Sequence, residues 1–483
     1  MQTMLSTKKA FGIFLAVLLI VILVPVIRVE PALTASEPRL PATSKETWNK
    51  TYGGPKDQVA YALVQTSDGG YALAGWTDSF GIGVNNAWLV KTDQNGNVLW
   101  NKTYGGTGSN QAYSMVQTSD GGYALAGYSN SYGPFGSFWL VKTDASGNTE
   151  WNKTYGASVE EAFYATAYSL IQTSDGGYAL AGEKEFFTGN ADAWLVKTDA
   201  SGNMEWNKTY GETDYSGAGC VIQTSDGGYA LAGWTRSLVA AGGTAAWLIK
   251  TDANGNMLWN KTYGGISNDG AWSVIQTSDG GYALAGYTLS YGAGSDDFWL
   301  IKTDATGKML WSKTYGGKST DDAHTVVQTS DGGYALAGYT ASFGPGTINF
   351  WLVKTDANGN TLWSNTYGGK LENEAYAMIQ TSDGGYALAG YTNSYGTGRE
   401  DFLLVKTNAN GGLSQSPFLL LLVLVGVSVG VIIAAVLLLM IRTKRKSQRS
   451  RKEPTSLPKS DEPEAVLQNF HAHAAITFSL LNV

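Results

Sequence analysis

The sequence Gln-Thr-Ser-Asp-Gly-Gly-Tyr-Ala-Leu-Ala-Gly occurs seven times in this chain of 483 residues, starting at Gln65, Gln117, Gln172, Gln223, Gln276, Gln328 and Gln380. The copies are 52, 55, 51, 53, 52 and 52 residues apart. A near-constant period of this size means stacked supersecondary units, none of which buries its apolar face alone. The period therefore restricts the architecture severely. It leaves the ligand open, because one scaffold hosts many functions.

Residues 100–151 make up one period. Trp100–Tyr104 reads as a short strand ending at Gly105-Gly106, and Ala112–Thr118 as a second. Ser119-Asp120-Gly121-Gly122 follows, and Asp-Gly between two strand-like runs predicts a hairpin with a type I′ turn. Tyr123–Ser129 is a third strand and Phe138–Asp144 a fourth, after which Ala145-Ser146-Gly147-Asn148 leads to Trp151 of the next unit. No helical periodicity appears anywhere in the unit. Four antiparallel strands repeated at this spacing are the pattern of a β-propeller blade.

The ends of the array distinguish a ring from an open solenoid. The Trp-x-Lys/Asn-Thr-Tyr strand occurs seven times, from Trp48 to Trp363, and the Leu-Val/Ile-Lys-Thr strand also seven times, ending at Leu404-Val405-Lys406-Thr407. The array opens with a Trp strand and closes without one at Asn408–Gly412. Closure into a ring removes the unpaired edges that a solenoid would expose. The expected fold class is thus all-β: a seven-bladed β-propeller over residues 48–412, with Trp48–Gly54 acting as an N-terminal clasp strand in the last blade. All sixteen tryptophans lie between Trp48 and Trp363, and thirteen of them begin one of the two recurring outer strands. The exceptions are Trp76, Trp234 and Trp272. Periodic aromatics of this kind read as core.

Thr92-Asp93, Gly96 and Trp100 resemble the tryptophan-docking motif of quinoprotein-type propellers, one residue shorter between Asp and Trp and without a threonine before the glycine. Ser-Asp-Gly-Gly-Tyr-Ala-Leu-Ala-Gly-Tyr-Thr more closely resembles repeats of exported archaeal and bacterial surface proteins. That resemblance implies a propeller fold and a cell-surface location. No cofactor is expected.

Residues 1–35, with Lys8, Lys9 and the apolar run Phe11–Ile27, read as a signal peptide or signal anchor, and 36–47 as a linker. Residues 413–417 form a short stalk. Phe418–Ile441 is a run of 24 uncharged, mostly apolar residues, long enough for a transmembrane helix. The basic cluster from Arg442 to Lys452 begins the tail 442–483 and places that tail in the cytoplasm. The expectation is a single-pass membrane protein, or a two-pass one if the first segment is retained, with the propeller extracellular. Between residues 36 and 417 there are 22 basic and 35 acidic residues. This acidic balance argues against nucleic acid as a partner.

Few motifs carry chemistry. Cys220 is the single cysteine, at a position where other repeats have small residues, and reads as a small buried side chain. Histidines are limited to His324, His471 and His473, so only His324 falls within the array. Asp252–Asn256 resembles the start of a calcium loop but lacks the acidic residue at its twelfth position, and no metal site is expected. Asp296–Asp297, Asp321–Asp322 and Glu372/Glu374 are paired carboxylates of the kind glycoside hydrolysis uses, although solvated loop acids look the same in sequence.

The Ser-Asp-Gly-Gly and Asp-x-x-Gly turns should share one face of the ring and the variable loops the other. Binding on rigid scaffolds usually lies in variable loops. The third repeat departs most, with Glu160, Glu161, Phe163 and Tyr164 in one loop and Glu183, Glu185, Phe186 and Phe187 in another. Aromatics beside acids mark these eight as the candidate binding patch. The sequence reading is a binding module for an extracellular glycan or protein partner. The alternatives are an extracellular enzyme, either a quinoprotein-like dehydrogenase or a carbohydrate-active hydrolase, and a structural surface component. An axial ring of acids or bases would favour the enzyme, and a plain channel the binder.

Overall fold

The computed structural model describes residues 47–132, 135–156, 163–186, 189–211, 215–236 and 243–413, together with Met440 and Arg442. The chain divides after Glu46, and the fold belongs to the unit that begins at Thr47. The expected signal segment, stalk and bilayer-spanning run lie outside the described residues. Among those described, no helix is long and apolar enough to cross a membrane.

Among the described residues, twenty-eight strands form seven four-stranded sheets. Numbered in chain order, β1 is Trp48–Tyr52, β2 Gln58–Gln65, β3 Tyr71–Thr77, β4 Asn86–Thr92 and β5 Val98–Tyr104. β2 to β5 make the first blade in the order β2-β3-β4-β5, with antiparallel pairing throughout. The last blade is built from β26 (Asn373–Gln380), β27 (Tyr386–Thr392), β28 (Asp401–Thr407) and β1, in that order. Trp48 stands opposite Lys406 and Tyr52 opposite Phe402, so the N-terminal strand is the clasp and the ring is closed. In every blade the strand before the Ser-Asp-Gly-Gly turn is innermost.

Small side chains let the sheets approach. Ala72 and Ala74 of Tyr-Ala-Leu-Ala-Gly are fully buried against the next blade, beside Ala112 and Tyr123. The outer strand supplies the fastening. Tyr52 of the clasp donates its hydroxyl to the carbonyl of Gly96 in the first blade at 2.8 Å, and Tyr367 of the sixth blade does the same to Gly411 of the seventh at 2.6 Å. The Trp48 ring covers Gly96, which has φ +73°; a Cβ there would lie 2.6 Å from the indole. Only glycine fits both the turn and the ring on top of it.

The repeat motif closes with a buried lysine. Lys91 is buried, donates to the carbonyl of Thr92 at 2.8 Å and pairs with Asp68 at 2.8 Å. Burial works against the Asp68 carboxylate, but hydrogen bonds from Lys91, Thr66 and Gly70 outweigh it and hold the group down near 2. The turn itself differs from the expected one. Gly69 N–H donates to Thr66 O at 2.8 Å, so Ser67 and Asp68 are the central residues and Gly69 alone takes the left-handed φ of +83°. Asp68 is drawn into the turn because its Oδ1 also accepts from Gly70 N–H and Thr66 Oγ1.

Deleting residues 47–54 removes the clasp and leaves β28 with an open edge. The propeller should then aggregate or melt well below the parent; an unchanged melting temperature would contradict closure by this strand.

Candidate functional site

Every innermost strand carries a β-bulge at the same place. In β2 the pairing slips between Ala60 and Ala62, so Tyr61 has no partner on β3. The equivalent bulged residues are Tyr113, Tyr168, Gly219, Trp272, His324 and Tyr376. A bulge re-aims the extra side chain out of the ladder. Here it aims seven of them at one place: these residues line a single cavity of about 310 Å³. One residue from each innermost strand puts that cavity on the propeller axis.

Gly75 shows how tightly the bulge is seated. A Cβ there would come 1.9 Å from the carbonyl of Val59, so the last glycine of Tyr-Ala-Leu-Ala-Gly is required by the bulged backbone opposite.

The side chains form a near-continuous aromatic ring. Ring centroids are 4.8 Å apart for Tyr61–Tyr376, 4.9 Å for Tyr61–Tyr113 and 5.6 Å for Tyr113–Tyr168. On the other side Trp272 stacks on His324 at 5.6 Å, and His324 meets Tyr376 edge-on at 4.9 Å. The gap at Gly219 is bridged by Trp234, which lies 6.2 Å from Tyr168 and 5.1 Å from Trp272. Trp234 leans there because blade four also has Gly217, whose Cβ would lie 2.4 Å from the indole.

Acids support the ring. Tyr168 donates to Glu183 at 2.6 Å, Tyr376 to Glu374 at 2.6 Å and Trp272 Nε1 to Asp322 at 3.2 Å; Tyr113 donates to Gln111. Gln111, Asp322 and Glu374 each sit two residues before a bulged residue, nearer the variable loops. Asp322 is 8% exposed and its Oδ1 has no hydrogen-bond partner among the described residues. Burial pushes its carboxyl up to about 7, Trp272 pulls it back, and Asp296 and Glu374 push it further. Burial likewise raises Asp296 and Glu183. His324 lines the cavity with an unpartnered Nε2, and burial lowers it to about 4. At neutral pH its 3.9 Å approach to Asp322 is therefore not an ion pair.

The eight residues singled out in sequence separate into three groups. Glu160, Glu161 and Phe187 lie outside the described residues. Phe163 is 2% exposed and packs with Phe138 and Trp194, so the expectation that its ring is displayed is corrected; Phe186 is half-buried against the same cluster. Tyr164 is 41% exposed and Glu185 is exposed. Glu183 belongs to the axial ring through Tyr168.

The aspartate pairs are also different from solvated loop acids, whereas Glu372 is an exposed loop acid as expected. Asp297 and Asp321 are fully buried and hold loop backbone: Asp297 accepts from Ala293 N–H at 2.7 Å, and Asp321 from Gly317 N–H at 2.8 Å. Cys220, next to the bulged Gly219, is half-buried, and burial raises its thiol. Among the described residues no cluster of three metal-ligating side chains occurs.

The axial ring escaped the sequence reading, although each member stands four residues before the Gln of the repeat motif. The residue type there changes from Tyr to Gly, Trp and His, so it looks like noise within the repeat.

No family model matches the chain. The regulatory protein FlaEY of Caulobacter vibrioides is 26% identical over 168 residues, covering 32% of this chain and 16% of that protein. Thus the chain spans only a small part of that relative. Among solved structures, Sqt1 from Chaetomium thermophilum aligns with a TM-score of 0.41 at 12% identity, over 71% of this chain and 82% of that one. The Pan2 WD40 domain of Neurospora crassa aligns with a TM-score of 0.45 at 10% identity, over 74% and 90%. The strand order and ring closure define the class: a seven-bladed β-propeller, with an aromatic ring on its axis.

Asp322→Asn tests the buried carboxyl. In the unfolded chain the group ionises near 3.8 and in the ring near 7, so from about pH 4 to about pH 7 only the folded state keeps the proton and folding stability falls with rising pH. Replacing Asp322 removes this loss. The melting temperature of the variant should exceed the parent's by an amount that grows across that window and then levels off. Parallel curves would contradict the raised pKa.

Proposed function

We propose that this chain is a membrane-anchored binding module whose propeller lies outside the cytoplasm and engages a glycan or protein partner at the variable-loop end of its axis. The axial aromatic ring is the observation that carries this reading. Sites for small ligands, or for one group of a larger partner, are concave, mostly apolar and furnished with a few convergent polar groups, at about 300–1,000 Å³. The axial cavity has aromatic walls, lies at the lower end of that range and has acids beside it.

The ring also bears on the enzyme alternative. Its members are neither a set of acids nor a set of bases. Glu183 and Glu374 accept hydrogen bonds from ring tyrosines, which is a supporting role. The anchor is argued from the apolar run Phe418–Ile441 and the basic residues after it. Tethering at that end sets the invariant turns toward the bilayer and the variable loops outward.

The test is a glycan array and a cell-surface protein panel probed with the ectodomain, residues 36–412. Tyr61→Ser with Tyr376→Ser should weaken the strongest interaction by about 30-fold, the size of a hot-spot loss of about 2 kcal/mol. Tyr164→Ser with Glu185→Ser should leave it within about twofold. The reverse pattern would move the site to the loops of blade three. Absence of any saturable partner would remove the binding reading.

A further inference from the structure

The axial ring is neutral and rich in π-faces, and the charges gathered beside it are negative. Tyr61, Tyr376 and Trp272 present rings to one small cavity. The histidine among them is uncharged at neutral pH because burial lowers it. Asp322 and Glu374 stand one pleat away on the two strands that carry His324 and Tyr376. Asp296 and Glu400 are close enough to repel them. Among the described residues, the lysine and arginine ion pairs reach other carboxylates and leave Asp322, Glu374 and Asp296 without a cationic partner. Asp322 is also left with an unpartnered oxygen in a site nine-tenths shielded from water.

Such a set of groups is poorly satisfied alone. Buried carboxylates near one another disfavour their own ionisation, and a cation beside them relieves the repulsion. The faces of Tyr and Trp carry negative potential and attract cations, most strongly where the site is desolvated. A hard, hydrated metal ion gains little from aromatic walls, whereas an alkylated ammonium group loses little hydration and fits apolar surroundings. A sugar would stack on one or two rings. It would leave the surplus negative charge unmatched.

From this arrangement we infer that the axial cup binds an organic cation, a quaternary or alkylated ammonium group, between Tyr61, Tyr376 and Trp272, with Asp322 and Glu374 balancing its charge. The inference rests on the axial cup being the binding site of the module and names the chemistry of what enters it. The group is either a free small molecule or the end of a side chain carried by a partner.

Calorimetric titration of the full-length chain in detergent separates an organic-cation site from a site for a neutral ligand or a glycan. The probes are tetramethylammonium chloride, choline, the uncharged choline isostere 3,3-dimethylbutan-1-ol, and methyl glucoside and methyl galactoside, with sodium chloride as the ionic-strength control. Tetramethylammonium and choline should bind saturably, and the isostere at least about tenfold more weakly, the size expected of a desolvated cation–π contact. This comparison needs no variant, so a misfolded mutant cannot obscure it. Trp272→Leu should then lower choline affinity by about tenfold and Trp272→Phe by less. Asp322→Asn should weaken choline but not the isostere.

Equal binding of choline and its isostere would overturn the cation inference while leaving a binding cup in place. Binding of the glycosides without choline would overturn it in favour of a glycan site. No saturable binding by any probe would overturn it too. The ectodomain screen then stands as the separate test of whether the propeller binds partners at all.

Discussion

Each blade is fastened to the next by one tryptophan ring and one tyrosine hydroxyl, and the rest of the molecule depends on that seam. Tyr104 reaches Gly147, Tyr155 reaches Gly202, Tyr210 reaches Gly255, Tyr263 reaches Gly307 and Tyr315 reaches Gly359, all at 2.7–2.8 Å. The remaining two contacts, from Tyr52 and Tyr367, complete the circle. A buried hydrogen bond of this type contributes about 1 kcal/mol net. Its larger effect is geometric. The seam fixes the angle between neighbouring sheets at the rim, and equal angles seven times over set the width of the axis. The recurrence of Trp-x-Lys/Asn-Thr-Tyr and of the turn glycine, in Asp-x-x-Gly six times and Asn408-x-x-Gly411 once, therefore follows from two halves of one contact that must match in every blade.

The inner edge is held differently. In six of the seven blades the glutamine ending the innermost strand accepts a hydrogen bond from the serine N–H of the preceding blade, as Gln117 does from Ser67 at 3.0 Å. Across the closure Gln65 accepts from Ser382 at 2.9 Å. Between this inner seam and the outer one sits the bulge. It costs ladder pairing at one residue per blade, and in return frees that residue from packing duties. The alanine directly before it is constant and the residue directly after it is always small, while the bulged position holds Tyr, Gly, Trp or His. In this scaffold, then, the variation that matters sits inside the repeat as well as in the loops.

This explains what the sequence did and did not reveal. The period, the four strands, their order and the clasp were readable because each rests on local signals that recur seven times. Tyr123–Ser129 was placed to the residue. The turn was misjudged because Asp-Gly suits a type I′ geometry, whereas Lys91 captures Asp68 from a strand more than twenty residues on. Phe163 looked like a displayed aromatic because it follows an acidic loop, but it is the first residue of a strand and packs on Trp194 of the same blade. The axial ring needed two facts that no single repeat contains: that a bulge occurs, and that seven bulges face one another. Only the closed ring brings residues some fifty positions apart in sequence to within about 5–6 Å.

The fourth blade shows that the ring is more than filler. A glycine at the bulge would leave a hole in a circle of tyrosines, and a cavity next to the axis is easily tolerated because it connects with the central space. Instead Gly217 clears the path for Trp234, which turns in from the second strand and closes the circle between Tyr168 and Trp272. The indole is 7% exposed and reaches the ring from another strand. Two glycines and one tryptophan must agree for this to happen, and packing alone needs none of them, since a tyrosine at position 219 would repeat what the neighbouring blades do. The substitution keeps the aromatic surface while changing its shape on one side only. A seven-fold scaffold thereby acquires an axis without seven-fold symmetry, with the carboxylates of Asp322 and Glu374 on one flank and the Trp234 indole on another. An asymmetric aromatic wall is what distinguishes one orientation of a bound group from the other six.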